Sequence, residues 1–198
     1  MFKEHAVVIA TPLGDREHAI EFAVRGWDKK GLKPIVVPMR WFDYSITFND
    51  RMSLIGNEID TQLKKNKLVS LMGFSAGGSA VLNTFASRKE SINKVITVCA
   101  RINTVKNWGY RSFKNRTNKY PNYAESIINF EKVRGRLSLA DLQRVMTVRP
   151  LLGDQLNPAN TMILDGANNI TIPTAEHITS IAMALTFFSK PLISFIKS

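Results

Sequence analysis

The strongest constraint on this chain is a repeated alternation of short, solidly apolar runs with stretches of helical spacing. The runs occupy residues 5–12, 33–39, 67–74, 94–100, 144–152 and 161–165. Most do not alternate polar with apolar residues, which is the pattern of strands buried on both faces of a parallel sheet. Helical spacing fills the intervals 16–30, 49–65, 77–88, 123–133, 138–144 and 176–196. Gly31 is a stop for the first helix, and Ser138 with Asp141 forms a capping pair for the fifth. Pro191 is expected to break or kink the last. Repeated strand–helix units predict an α/β fold: three layers, with a mostly parallel six-stranded sheet between helices and right-handed crossovers. The expected strand order is 2-1-3-4-5-6. In such sheets chemistry gathers at the carboxyl ends of the strands.

The chain has 198 residues, 44% hydrophobic and 22% charged, which suits one globular domain spanning residues 1–198. No apolar run reaches the roughly 18 residues a membrane span needs. The opening residues read as a strand and not as a signal peptide. The single cysteine, Cys99, excludes an intramolecular disulfide and fits a reducing, cytoplasmic setting. Lysine and arginine number 27 against 16 acidic residues, a net charge of +11. That balance favours anionic partners.

Part of the charge is concentrated after the fourth run. Arg101, Lys106, Arg111, Lys114, Arg116 and Lys119 occur with no acidic residue between Glu90 and Glu125. Trp108, Tyr110, Phe113 and Tyr120 are interleaved. Residues 101–136 are expected to form a small basic cap over the carboxyl edge. Such a segment is a solvated loop, a cap that draws in anionic substrates, or a patch for nucleic acid or a membrane surface. The last reading is the least favoured.

The third run ends in Gly73-Phe74-Ser75-Ala76-Gly77-Gly78, a G-x-S-x-G sequence between a strand and a helix. A serine at the tip of a sharp strand-to-helix turn is exposed above the sheet, and the residues two before and two after it, here Gly73 and Gly77, must be small to allow the turn. The bland alternative is a glycine-rich turn with an N-cap serine. Serine is a poor nucleophile without a base and a group to orient that base. Of three histidines, His5 lies at the wrong edge of the sheet and His18 early in the first helix. His177 follows the last strand and is the candidate base. Asp154 is the favoured orienting acid, and Asp165, at the end of the sixth run, is its competitor. Phe74, His18 and Trp108 are candidates for substrate contact.

The order Ser75, Asp154, His177 with this elbow resembles the α/β-hydrolase superfamily over nearly the whole chain. The stretch Asp154-Gln155-Leu156-Asn157-Pro158, then Gly166-Ala167-Asn168 and His177, is similar to the end of small lipases and esterases. Asn157 stands where that family carries an apolar residue. The resemblance implies an oxyanion hole formed by the backbone amides of Ala76 and Leu13. Thr11-Pro12 replaces the His-Gly often found in the family's loop. It also implies a minimal member, without the two antiparallel strands that usually begin the sheet.

One cysteine and three scattered histidines offer no metal-ligand spacing. No phosphate-cradling loop or dinucleotide fingerprint is present. The expectation is a serine hydrolase that cleaves a carboxylic ester or thioester, anionic substrates included, with no cofactor. An acyltransferase using the same three residues is the first alternative. A non-catalytic binding protein using the basic insertion is the second.

Overall fold

The computed structural model describes residues 4–198. Six strands form one sheet: β1 (His5–Ala10), β2 (Leu32–Val37), β3 (Leu68–Phe74), β4 (Val95–Val98), β5 (Val145–Pro150) and β6 (Asn168–Ile172). Their order is β2-β1-β3-β4-β5-β6, and every neighbouring pair is parallel. The helices are α1 (Glu17–Val24), α2 (Phe48–Lys64), α3 (Ala76–Arg88), α4 (Phe113–Thr117), α5 (Pro121–Val133), α6 (Leu139–Leu142), α7 (His177–Leu185) and α8 (Ser189–Lys197).

The solid apolar runs are explained by two cores, one on each face of the sheet. In β1, Val8 and Ala10 join Leu71, Ile55, Ile59, Phe85 and Phe130 beneath α2, α3 and α5. Val7 and Ile9 point the other way. They join Met72, Phe74, Ile96, Ile20, Leu192 and Ile196 beneath α1 and α8. Every residue of β1 is buried, as expected of a strand flanked by strands and covered on both faces.

Two boundaries differ from the sequence expectation. Residues 161–165 are not a strand. They follow a single 3-10 turn (Ala159–Thr161), and β6 begins at Asn168. Asn169 takes over the edge: its side chain accepts from Thr147 Oγ1 and the Leu164 N–H and donates to the Leu164 carbonyl. The apolar residues Met162 and Leu164 are buried as core plugs without being paired into the sheet. The C-terminal helix is divided, but not at Pro191. The break falls between Leu185 and Ser189, and Pro191 lies in the first turn of α8. A first-turn proline removes no intrahelical hydrogen bond, so it is tolerated there.

The capping pair at Ser138 and Asp141 forms as expected, with both halves of the capping box in place. Of residues 101–136, the helix α5 packs against α3. Asn83 donates to the Ser126 carbonyl (2.7 Å), and Ser126 Oγ to Ser79 Oγ (2.8 Å). Residues 101–120 are the part that reaches over the carboxyl edge. Arg111 donates to the Asp154 carbonyl there, and Tyr120 packs edge-on to Phe42. Among the described residues no single helix is long and apolar enough to cross a membrane.

Candidate active site

Ser75 is the only residue between β3 and α3, and it holds φ 51° and ψ −114°. A non-glycine residue in that region is strained by about 1–3 kcal/mol. The surroundings over-determine the turn. The Ser75 N–H donates to the Val98 carbonyl (3.0 Å), and its own carbonyl accepts from the Gly78 N–H (3.1 Å). The flanking glycines permit the approach. A Cβ on Gly77 would overlap the Ala10 carbonyl, and one on Gly73 the Gly77 carbonyl. The strain therefore presents Ser75 at the mouth of the sheet, at the N-terminus of a 13-residue helix.

Asp154 and His177 come together from separate elements. Asp154 lies in the loop after β5, and His177 is the first residue of α7; their exposures are 4% and 3%. His177 Nδ1 is 2.6 Å from Asp154 Oδ2. The other carboxylate oxygen accepts from the N–H groups of Leu156 (2.7 Å) and Asn157 (2.9 Å). A carboxylate facing Nδ1 selects the tautomer with the proton on that nitrogen, so Nε2 is left as the acceptor. Nε2 is buried and has no protein partner among the described residues. Ser75 and His177 line the same cavity.

The histidine is held by more than the aspartate. Its backbone N–H donates to Gln155 Oε1 (2.9 Å), and Gln155 Nε2 donates to Glu176 Oε1 (2.6 Å). Glu176 caps α7 by accepting from the Thr179 N–H (2.7 Å). That backbone bond holds the Glu176 carboxyl down to about 2. Asn157, where an apolar residue was expected, is buried and donates to the Cys99 carbonyl (3.0 Å). It ties the Asp154 loop to the end of β4.

The cavity is about 260 Å³ and lies between α1 and α7. Ala19, Ile20, Ala23, Ile181 and Leu185 make its apolar wall, and Leu13, Arg16 and Arg116 also face it. The loop carrying Leu13 is anchored by Asp15. Its Oδ1 accepts from Thr11 Oγ1 (2.6 Å), the Met39 N–H (2.9 Å) and the Arg40 N–H (3.1 Å). Gly14, Asp15 and Arg16 all have positive φ, so the chain turns sharply into α1. Thr11 has a positional reason in this loop: its hydroxyl bonds Asp15 and accepts from the Met39 N–H. Ala76, the first residue of α3, is fully buried beside Ser75.

Three residues expected to contact substrate do not line this cavity. Phe74 is fully buried in the core on the α1 side of the sheet, because alternation along β3 turns it inward. The His18 side chain is wholly exposed and pairs with Glu21 (3.3 Å) on the outer face of α1. Trp108 is 93% exposed. Asp165, the competing acid, is exposed in the turn before Gly166, while Asp154 is the carboxylate on His177.

The fold also gathers groups that the sequence leaves scattered. Donor atoms of Cys99, Asp154 and His177 lie within 4.8 Å of one another. Burial pushes the Cys99 thiol well above its ordinary range, which disfavours the thiolate a metal needs. The Asp154–His177 hydrogen bond occupies the facing atoms of the other two. The trio therefore fits a charge-oriented histidine better than a metal centre. Gln155 was not expected at the site, and Arg116 was expected there only as one cation of the basic cap. Gln155 acts through its side chain on a backbone amide 22 residues away, and no spacing rule signals such a contact.

No protein-family model matches this sequence, and no curated protein matches it significantly. Solved structures do match in fold. A chain from the work on LipS and LipT, two metagenome-derived lipolytic enzymes, aligns with TM-score 0.69 at 12% identity, covering 100% of this chain and 95% of its own. Est1E from Butyrivibrio proteoclasticus aligns with TM-score 0.65 at 16% identity, covering 98% and 89%. The pyrethroid hydrolase PytH aligns with TM-score 0.67 at 11% identity, covering 100% and 98%. With the parallel sheet and the strand–serine–helix elbow, this likeness shows that the chain has the α/β-hydrolase fold.

Proposed function

We propose that this protein is a serine hydrolase acting on carboxylic esters or thioesters. The observation that carries the reading is the pairing of Asp154 with His177 Nδ1, with Nε2 left unpartnered in a protein whose strained Ser75 lines the same cavity. The fold-level neighbours agree in kind. They include lipolytic enzymes, a meta-cleavage product hydrolase and a thioesterase domain from the curacin biosynthetic pathway.

In this reading Ser75 Oγ attacks the carbonyl carbon as His177 Nε2 takes its proton. Asp154 steadies the imidazolium. The negative charge on the former carbonyl oxygen is held by the backbone N–H groups of Ala76 and Leu13. His177 then gives the proton to the leaving alcohol or thiol, and an acyl-serine remains. Water, activated by the same nitrogen, releases the acid and restores the hydroxyl. Each residue returns to its starting state, so no redox partner or cofactor enters the cycle.

A fluorophosphonate probe tests the proposal, since it reacts with activated serines and spares ordinary ones. Peptide mapping by mass spectrometry should find the label on Ser75, and His177→Ala should remove it. Folded protein that takes no label would overturn the reading.

A further inference from the structure

We propose that the ester this cleft selects carries an anionic group, a carboxylate or phosphate, near the end of a short apolar acyl chain. The inference rests on the serine-hydrolase reading and names its substrate class. Arg16 and Arg116 line the cavity, whose remaining wall is mostly apolar, and no acidic residue lines it. Among the described residues neither arginine has a carboxylate partner. Arg116 donates only to the Tyr110 hydroxyl (2.7 Å), and Arg16 has no side-chain partner.

The nearby carboxylates are committed elsewhere. Asp154 is taken by His177 and two amides, Glu176 by the α7 cap and Gln155, and Asp15 by Thr11 and the amides of Met39 and Arg40.

A third arginine lies outside the lining of this cavity. Arg101 is fully buried at the end of β4, and it donates only one hydrogen bond, to the Arg111 carbonyl (2.7 Å). Its Nε and one terminal nitrogen are buried without partners. A buried cation without a counter-charge is expensive unless something negative compensates it. Arg101 is not among the residues that line the cavity, so the direct contacts to an anionic group fall to Arg16 and Arg116. Two arginines and no acidic residue in the lining of an apolar cleft match a ligand that is apolar along its length and anionic at one end. A low-dielectric cleft focuses the field of such groups.

The experiment compares two substrates of nearly equal shape, the 4-nitrophenyl monoester of glutarate and 4-nitrophenyl pentanoate. The wild type should show a kcat/KM at least tenfold higher for the glutarate monoester. That ratio should shrink towards one in 0.5 M sodium chloride and in Arg16→Gln and Arg116→Gln. Both side chains reach solvent and anchor no core packing, so the variants should fold. A ratio at or below one in the wild type overturns the inference and leaves the hydrolase reading intact. If neither ester is cleaved and Ser75 takes no fluorophosphonate, the hydrolase reading fails. Binding to the Ser75→Ala protein, read by calorimetry, then decides the anion site alone. Monomethyl glutarate should bind at least tenfold tighter than methyl pentanoate, with the difference lost in Arg116→Gln; equal binding overturns it.

Discussion

Asp154 Oδ2 and His177 Nδ1 lie 2.6 Å apart in a buried pair that joins the loop after β5 to the first residue of α7. The carboxylate is saturated. One oxygen faces the imidazole and the other accepts two backbone N–H groups. Its position is therefore set by the loop backbone, and the imidazole takes its orientation from the carboxylate. This pair governs which nitrogen is available at the cavity beside Ser75.

Asp154→Asn should lower kcat by about 10⁴, because the amide no longer favours the tautomer with a free Nε2. Asp165→Asn should leave turnover within about twofold, since that side chain sits in an exposed turn. Steady-state kinetics on one activated ester compares the two. A larger loss at Asp165 would move the acid to the other loop.

Ser75→Ala should reduce turnover to background. Ser75→Gly should do the same and also raise stability by about 1 kcal/mol, because glycine relieves the positive φ at this position. Urea unfolding and an ester assay on both variants separate the two effects. A glycine variant less stable than the alanine variant would argue against stored strain.

Gly77→Ala should destabilise the protein by several kcal/mol or prevent folding, since the new methyl would meet the Ala10 carbonyl of a neighbouring strand. Gly135→Ala, where a Cβ meets nothing, is the control. Thermal melts of the pair give the comparison.

Asp15→Ala removes the acceptor for the Thr11 hydroxyl and the Arg40 amide and one of the two acceptors of the Met39 amide. It should destabilise by about 2 kcal/mol. Loosening the Leu13 loop should also lower kcat by about tenfold or more, with a smaller change in KM. An unchanged kcat with lowered stability would make Asp15 a purely structural anchor.

Glu176 supplies a pH dependence with a definite sign. Its folded pKa lies near 2, below the ordinary 4.5, because the charged form accepts backbone N–H bonds at the start of α7. The stabilisation is complete above the ordinary value and is lost as pH falls from about 4.5 towards 2. Urea midpoints for wild type and Glu176→Gln should run parallel near neutrality and converge in that window. Curves that remain parallel down to pH 3 would place the helix cap elsewhere.

The layers, the strand order and the elbow were legible in the sequence because they follow from local patterns. Solid apolar runs are those of strands buried on two faces, and a serine with glycines two residues before and after it, between strand and helix, fits a single sharp turn. The sequence also singled out Asp154 and His177, and the structure pairs their side chains. Tertiary structure decided the rest. Residues 161–165 are as apolar as a strand, yet Asn169 captures that edge through its side chain, and hydrogen-bond competition of this kind has no sequence period. Phe74 is next to Ser75 in sequence but is buried in the core on the α1 side, because it ends β3 while Ser75 stands in the turn that opens on the cavity. The roles of Asp15 and Gln155 depend on atoms many residues apart. Their chemistry is written in the sequence, but their partners exist only once the chain has closed the sheet and brought its loops to one edge.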